Sequence, residues 1–301
     1  MKKRFSDKLF EVAGFRFRLR MDTTNPLWNE IGRYDCFGTE SDDPASEDVL
    51  FTLTVDGLMR IPSPEPVYSE LTEGPGGHTA ALYAETGGWC FTIIPPRKST
   101  PVFSLHTDFT YAKARLRICR YPSFGKYALD NALMLLFALK TGRHGFLLIR
   151  SAVVEKFGSG YAFLGWDEEF AREQCRLWQE HVPDARFMAD GFVAVNVQDG
   201  VLHAYSTPWA CDADVPCTVR ECVIKSIVWI YRDQSNTIRK ADALSSLASV
   251  YKGAERFRLG AGMTDSIMKN SGQIMESVPF YLLGCQPVAE SAIMCNEFLT
   301  S

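Results

Sequence analysis

A strand that ends in a glycine and leads directly into a helix is the feature that most constrains how this chain can fold. Tyr161–Leu164 is an apolar run, Gly165 follows it, and a helical pattern then extends to His181. The apolar residues of that helix recur at i, i+4, i+7 and i+11, and they are Ala171, Cys175, Trp178 and Val182. The pattern predicts a helix that packs one face against a sheet.

The same junction lies where a nucleotide-binding protein places its phosphate loop, with the pattern G-x-x-x-x-G-K-[ST]. Here Phe170 stands at the second glycine, Ala171 at the lysine and Arg172 at the hydroxyl. A phenylalanine keeps the backbone away from an anion, and the alanine removes the cation. We interpret the segment as a degenerate phosphate loop, consisting of Gly165, Trp166, Asp167, Glu168, Glu169, Phe170, Ala171, Arg172 and Glu173.

Three consecutive acids, Asp167, Glu168 and Glu169, stand at the start of this helix. Each carboxylate stabilises a helix N-terminus by about 0.3–1 kcal/mol, and Asp167 is a suitable N-cap. The same charges repel a phosphate. The sequence therefore predicts a helix that fills its own anion site.

Two neighbouring residues carry related hypotheses. Arg150 lies in an apolar strand, is a candidate cleft residue, and is expected to pair with one of the acids, because a buried charge needs a partner. Trp166 either plugs the emptied site or lies on the surface. A divalent cation held by the acids Asp167, Glu168, Glu169, Glu173 and Asp190 is a weaker alternative, since consecutive helical acids point in different directions; we expect no metal.

The composition of the chain limits which classes of protein and partner are expected. The chain has 301 residues, of which 46% are hydrophobic, and a net charge of −4, which gives no electrostatic reason to expect nucleic acid or an anionic membrane as a partner. Its longest apolar run, Ala132–Leu139, is too short to span a membrane, and no signal peptide is evident. A cytoplasmic protein is expected. The nine scattered cysteines predict thiols in a reducing compartment.

The predicted elements change in character near Tyr127. Before it, alternating strands such as 15–20 and 114–119 and a hairpin over 80–94 predict a β-rich N-terminal domain at 1–127. Two polar or turn-rich stretches, 38–47 and 62–78, interrupt it, and the glycine-rich part of the second, Gly74–His78, is expected to be a surface loop. After it, a helix over 128–140 and one continuous strand over 146–154 open a mixed domain at 128–301. The fold class is therefore α/β (α+β).

Several segments together resemble a known family, the HPr kinase/phosphorylase-like proteins, which share the phosphoenolpyruvate carboxykinase nucleotide-binding fold. The resemblance covers about 128–298 and agrees in order and spacing. Its segments are Asn131–Phe137, Gly160–Gly165, Thr207–Trp209 with Val215–Cys217, Asn236–Lys240 and Val278–Pro287.

The resemblance also shows what this chain has lost. Of the family's phosphate loop only Gly165 matches, and Arg150 replaces a histidine on the preceding strand. The family's two adjacent aspartates, one a catalytic base and one a magnesium ligand, are reduced to Asp190 followed by Gly191. The arginine of the Asn-x-Ile-Arg segment is retained as Arg239.

These departures favour a pseudokinase, a non-catalytic binding or scaffold protein with an unidentified protein or peptide partner, no cofactor, and homo-oligomer assembly left open. One alternative is an ATP- and Mg-dependent kinase or phosphotransferase with a rebuilt nucleotide site. In that case Asp190 would be the base, and Arg239 or Arg172 would stabilise phosphate charge. Another alternative is a protein that binds a small molecule or peptide in a cleft between the two halves.

Overall fold

The computed structural model describes residues 4–39, 49–60, 62, 65–71, 77–120, 122–210, 220–254 and 263–301. It confirms a mixed fold of sheets and helices. Contacts divide the described residues into two compact units, one built from residues up to 140 and the other from residues 141–254 and 264–301. Several segments singled out above lie outside the described residues, namely 40–47, 72–76, and 211–219 with Cys211 and Cys217.

The first unit is a mixed sheet with one long helix. Its described elements are β1 (Phe5–Val12), β2 (Phe15–Asp22), β3 (Thr52–Leu58), β4 (Tyr68–Leu71), β5 (Thr79–Glu85), β6 (Gly88–Ile94), β7 (Phe103–Asp108), β8 (Lys113–Ile118) and α1 (Gly125–Thr141). The strand order is β1-β2-β3-β8-β7-β6-β5-β4. Strands β2, β3 and β8 are parallel neighbours; the other pairs are antiparallel.

Alternation of side chains decides which face of this sheet is buried. In β2 the apolar residues Phe17, Leu19 and Met21 are buried, whereas the arginines between them are only half-buried or exposed. Phe17 stacks on Phe51 with ring centroids 5.2 Å apart. Because successive side chains of a strand point to opposite faces, one face is the core and the other is polar. Tyr34 fixes a short 3-10 helix to α1 by donating to Asp130 Oδ1 at 2.8 Å.

The second unit is a sheet covered by helices on both faces. Its described elements are β9 (Phe146–Arg150), β10 (Ala152–Lys156), β11 (Ser159–Gly165), α2 (Glu168–His181), β12 (Ala185–Ala189), β13 (Phe192–Gln198), β14 (Val201–Tyr205), β15 (Glu221–Arg232), β16 (Thr237–Lys240), α3 (Ala243–Gly253), α4 (Met263–Ser277), β17 (Phe280–Cys285) and α5 (Ala289–Thr300). The order β12-β10-β11-β15-β14-β13-β9 is extended from β15 by β17 and then β16.

Two apolar cores lie on the two faces of this sheet. One joins the sheet to α3 and α4 through residues such as Val250, Ile267 and Ile274. The other joins it to α2 and α5 through Trp178 and Cys295, among others. The predicted stripe of α2 is buried throughout. Strands β11 and β15 are parallel neighbours at the centre of the sheet. Strand β11 ends at Gly165, and α2 begins at Glu168.

The continuous strand expected over 146–154 is wrong, because the chain breaks at Ser151. Strand β9 pairs with β13, whereas β10 pairs with β11 and β12, so the two halves have different neighbours. At the break, the Ser151 N–H donates to the Gly191 carbonyl oxygen at 2.9 Å. The apolar residues of both halves are buried, and a hydrophobic run alone does not reveal such a change of partner.

Within the part of the chain that the structure describes, the cysteines agree with the expected thiols except at Cys36. Six cysteines of the described residues are free, namely Cys90, Cys119, Cys175, Cys222, Cys285 and Cys295. Cys36 is disulfide-bonded, and there the expectation is wrong. Residue counts and spacing do not reveal which sulfurs meet in space.

Candidate functional site

The site is the junction between β11 and α2, the segment interpreted as a degenerate phosphate loop. Gly165 is the last residue of β11. A Cβ at this position would lie 2.7 Å from the Ile230 carbonyl oxygen on β15. Glycine is therefore required here by the close approach of the neighbouring strand, which is a structural reason independent of phosphate.

Asp167 is the N-cap of α2, as the sequence predicts. Its Oδ1 accepts from the Phe170 N–H at 3.2 Å, and its Oδ2 accepts from Arg232 Nη2 at 2.9 Å. The hydrogen bond from Arg232 is the main reason that the pKa of Asp167 lies below its usual value, and the hydrogen bond from the Phe170 N–H acts in the same direction. A carboxylate of this chain thus occupies the end of the helix that would otherwise attract an anion.

The two residues at the loop's glycine and lysine positions belong to the core. Phe170 is 2% exposed and Ala171 is 3% exposed, and both pack in the core that α2 shares with the sheet. The Arg232 guanidinium lies over the Phe170 ring, 4.5 Å from its centroid. The first turn of α2 is therefore held by apolar packing and by a cation–π contact, and it forms no open cradle of N–H groups.

Arg172, at the hydroxyl position, pairs with Asp190. Arg172 Nε lies 2.9 Å from Asp190 Oδ2, and the two side chains are 16% and 2% exposed. Asp190 follows β12 and precedes Gly191, whose φ of +73° is favourable for glycine. Burial raises the pKa of the Cys175 thiol, and the negative charge of Asp190 raises it further. The candidate base is thus a buried carboxylate neutralised by an arginine of the loop segment.

Arg150 pairs with an acid of the first turn of α2, as expected. Its Nη1 contacts Glu168 Oε1, and its guanidinium lies over the Phe192 ring, 5.4 Å from the centroid. This contact joins the end of β9 to the start of α2. The side chain of Arg150, the candidate cleft residue, is therefore already paired with an acid of the same chain.

A small cavity lies among these charges. It is lined by Arg150, Ser151, Ala152, Phe163, Gly165, Glu168, Ala171, Arg172, Asp190 and Gly191. The space open to the centre of a water molecule is about 10 Å³, roughly the least that one water needs. The ion pairs therefore leave no room for a phosphate group in this conformation.

Trp166 does not plug the emptied site. Its side chain is on the surface, with 72% of the residue exposed, and it does not line the cavity. Its ring meets Trp229 edge-on at 5.9 Å, and Lys252 Nζ lies 4.8 Å from its centroid. The plug hypothesis is therefore wrong, and Trp166 lies on the surface, the other alternative.

The structure leaves Arg239 out of the site. Arg239 lies exposed on β16, opposite Leu282 of β17, and does not line the cavity. Glu173, another acid of the loop segment, pairs with Arg176 on the surface of α2, where its Oε2 lies 3.5 Å from Arg176 Nη1. Of the two candidate catalytic residues, only Asp190 is in the site.

The acids of the junction do not form a cation site. Four of the five listed above pair with a different arginine each: Asp167 with Arg232, Glu168 with Arg150, Glu173 with Arg176 and Asp190 with Arg172. Oxygen ligands that are dispersed and neutralised in this way do not converge on one divalent ion. Sequence patterns indicate Arg172 and Asp190 as separate candidates and do not indicate Arg232. The pairing of these residues depends on the register of distant strands, which the patterns do not show.

A different group in the first unit has ligand-type atoms close together, namely Glu85, Cys90 and His106. His106 Nδ1 lies 3.0 Å from the Glu85 carboxylate, and its Nε2 lies 3.1 Å from Ser104 Oγ and 4.0 Å from Cys90 Sγ. Burial and then the Glu85 charge raise the pKa of Cys90 to about 12. His106 bridges Glu85 and Ser104, so this group is a hydrogen-bonded polar cluster of the sheet.

Comparisons with known proteins give little. No protein-family model matches the sequence, and no curated protein matches it. Within the described residues, no helix is long and apolar enough to cross a membrane. The solved structure of the Hpr(Ser) kinase/phosphatase from Coxiella burnetii is similar over 51% of this chain and 93% of its own, at 6% identity and a TM-score of 0.31. A likeness this weak decides neither the fold nor the function of this chain.

Proposed function

We propose that this chain is a non-catalytic binding or scaffold protein, a pseudokinase whose strand–helix junction has become a structural element. The observation that carries the proposal is the buried pair of Arg172 and Asp190, with Nε and Oδ2 2.9 Å apart. A phosphate loop supplies cations and free N–H groups to an anion. Here the cation of the loop segment is used by the chain's own carboxylate.

The other contacts of the junction support the same role. Arg150 is paired with Glu168, and the capping carboxylate of Asp167 holds both the Phe170 N–H and Arg232. A triphosphate at this position would have to break these contacts and approach Glu168 and Asp167. Two like charges at about 4 Å repel by roughly 4 kcal/mol at an effective dielectric of 20.

The rival enzyme requires Asp190 as a general base with access to a substrate hydroxyl. Asp190 is 2% exposed, and one of its oxygens is held by Arg172. A base in this position would first have to leave its arginine and open the cavity. The observed contacts therefore favour the non-catalytic role.

Thermal unfolding in the presence of nucleotide tests the proposal. The protein is heated with and without millimolar Mg-ATP, Mg-GTP or Mg-pyrophosphate, and ADP formation from Mg-ATP is followed in parallel. Ligand at about 100 times its dissociation constant would add about 2.7 kcal/mol to the free energy of unfolding. We expect no shift and no ADP formation above the level of the Asp190→Asn variant.

A rise in the unfolding midpoint with Mg-ATP, together with ADP formation that Asp190→Asn abolishes, would overturn the proposal in favour of a kinase. The Glu173→Gln variant is the matched control, because it also neutralises a carboxylate, but on the surface of α2 outside the cavity.

A further inference from the structure

The polar face of the first unit's sheet carries two parallel rows of cations. Arg18 and Arg20 lie on β2, and Lys113 and Arg115 lie on β8. Strand β3 runs between them and is parallel to both. The register aligns Arg18 with Thr52 and Lys113, and Arg20 with Thr54 and Arg115. Two threonines thus form a floor between two cationic rows, which we call the basic face.

The basic face is concave and open. The concavity is lined by Arg18, Arg20, Thr52, Thr54, Gly87, Asp108, Lys113, Ala114 and Arg115. The space open to the centre of a water molecule is about 560 Å³. Ligand sites commonly have volumes of about 300–1,000 Å³.

The two rows differ in how far their charge is compensated. On β2, Arg20 makes two hydrogen bonds to Asp7 at 2.7 Å each, and Arg18 Nε lies 3.8 Å from the same carboxylate. On β8, Lys113 and Arg115 are exposed, and none of the ion pairs found among the described residues involves either side chain. The β8 row is therefore available to a partner.

The acid in the lining does not neutralise that row. Asp108 directs its carboxylate into its own turn, where Oδ1 accepts from the Thr110 and Ala112 N–H groups at 3.0 Å. Its Oδ2 accepts from the Lys113 N–H at 3.1 Å. These contacts fix the start of β8 and hence the positions of Lys113 and Arg115.

The spacing of the cations matches an extended peptide. Alternate residues on one face of a strand repeat at roughly 6.6 Å, and strands lie about 4.8 Å apart, so the two rows are separated by roughly 10 Å. An extended chain placed over Thr52 and Thr54 presents alternate side chains with that same repeat. Carboxylates at i and i+2 would then reach successive cations of one row, and arginine binds carboxylates through paired N–H groups.

We infer that the basic face binds an extended acidic segment of a partner protein, with acidic residues at alternate positions. The inference gives the proposed binding role a partner class, but it depends on residues of the first unit only. A nucleotide bound at the junction would refute the proposed function without affecting this site, and failure of peptide binding would leave the junction proposal intact.

Fluorescence anisotropy with short labelled peptides tests the inference. Three peptides are compared: one in which glutamate alternates with serine, one in which glutamine replaces each glutamate, and one with the same glutamates grouped consecutively. We expect the alternating peptide to bind best and the glutamine peptide not to bind. Binding should weaken as salt is raised, because exposed charges are screened.

The variants separate the basic face from general charge. Lys113→Gln with Arg115→Gln should weaken binding of the alternating peptide by about tenfold or more. Arg60→Gln with Arg120→Gln removes the same charge at exposed positions outside the concavity and should leave binding unchanged. Both double variants alter exposed side chains, so both should fold.

Three outcomes would overturn the inference. One is that no glutamate peptide binds the unmodified protein. Another is an equal loss of binding in both double variants. The third is that a single-stranded oligonucleotide binds more tightly than the alternating peptide and loses its binding with Lys113 and Arg115, which would make the basic face a nucleic-acid site.

Discussion

The junction in the second unit and the basic face in the first both concentrate charge, and they use it in opposite ways. At the junction, Arg172 and Asp190 are largely buried and pair with each other around a space of about 10 Å³. On the basic face, Lys113 and Arg115 are exposed beside a concavity of about 560 Å³. Removing one member of a buried, mutually neutralised pair destabilises a fold, whereas exposed, uncompensated charges are available to a partner.

The largest effect should follow from breaking the buried pair. Arg172→Ala leaves the Asp190 carboxylate buried without that cation, and breaking a buried pair in this way costs about 3–5 kcal/mol. Urea unfolding should therefore show a loss of this size in the free energy of unfolding. Arg176→Ala removes an exposed charge of the same helix and should cost about 1 kcal/mol or less. Equal losses in the two variants would contradict the structural role of the pair.

A smaller loss should follow from Gly165→Ala. The new Cβ would lie 2.7 Å from the Ile230 carbonyl oxygen and 3.1 Å from its Cγ2. Such overpacking typically costs about 1–3 kcal/mol. Gly272→Ala in α4 is the matched control, because a Cβ there meets nothing within 4 Å and alanine favours a helix by about 0.5–1 kcal/mol. If Gly165→Ala were as stable as the unmodified protein, the packing explanation of this glycine would be wrong.

The N-cap of α2 should contribute less to the free energy of unfolding than the packing at Gly165 does. Asp167→Ala removes the acceptor of the Phe170 N–H and the partner of Arg232, and loss of an N-cap costs about 1 kcal/mol. The pKa of Asp167 lies below the ordinary value of 3.8. Its contribution is therefore complete above that value and is lost as pH falls through the depressed pKa.

Unfolding of both proteins at neutral pH and at about pH 3 measures this contribution. The difference between the unmodified protein and Asp167→Ala should be present at neutral pH and should shrink in acid. A difference that grows in acid would contradict the assignment of Asp167 as an ionised cap.

The smallest effect on stability is expected from the basic face. Lys113→Gln with Arg115→Gln should change the free energy of unfolding by no more than about 0.5 kcal/mol, because both side chains are exposed. Thermal or urea unfolding of this double variant provides the measurement. A loss as large as that of Arg172→Ala would show that these cations are structural, and the contrast between the two regions would disappear.

Features that depend on residues close together in the sequence are predictable from the sequence. The helix after Gly165, its buried stripe, the cap at Asp167 and the pairing of Arg150 with a nearby acid all follow from periodicity or charge, and the structure contains each of them. The break at Ser151 is not predictable, because an apolar run does not show where a strand changes partners. The outward position of Trp166 is not predictable either, since sequence alone does not fix the direction of a residue before a cap.

Features that depend on register could not be predicted. Arg172 and Asp190 meet only because α2 returns along the sheet to β12, and the sequence does not indicate their pairing. The basic face requires Arg18, Thr52 and Lys113 to align across three parallel strands that are distant in sequence. A net charge of −4 conceals this local excess of cations.

Hydrogen exchange at the first turn of α2 tests the central claim most directly, because it locates any bound anion. The amides of residues 168–173 are followed with and without millimolar Mg-ATP or pyrophosphate. If Asp167, Glu168 and the Arg172–Asp190 pair close the junction, exchange at these amides stays unchanged at every ligand concentration. Protection confined to these amides, increasing with ligand and saturating, would show that the junction still binds phosphate and would contradict the account.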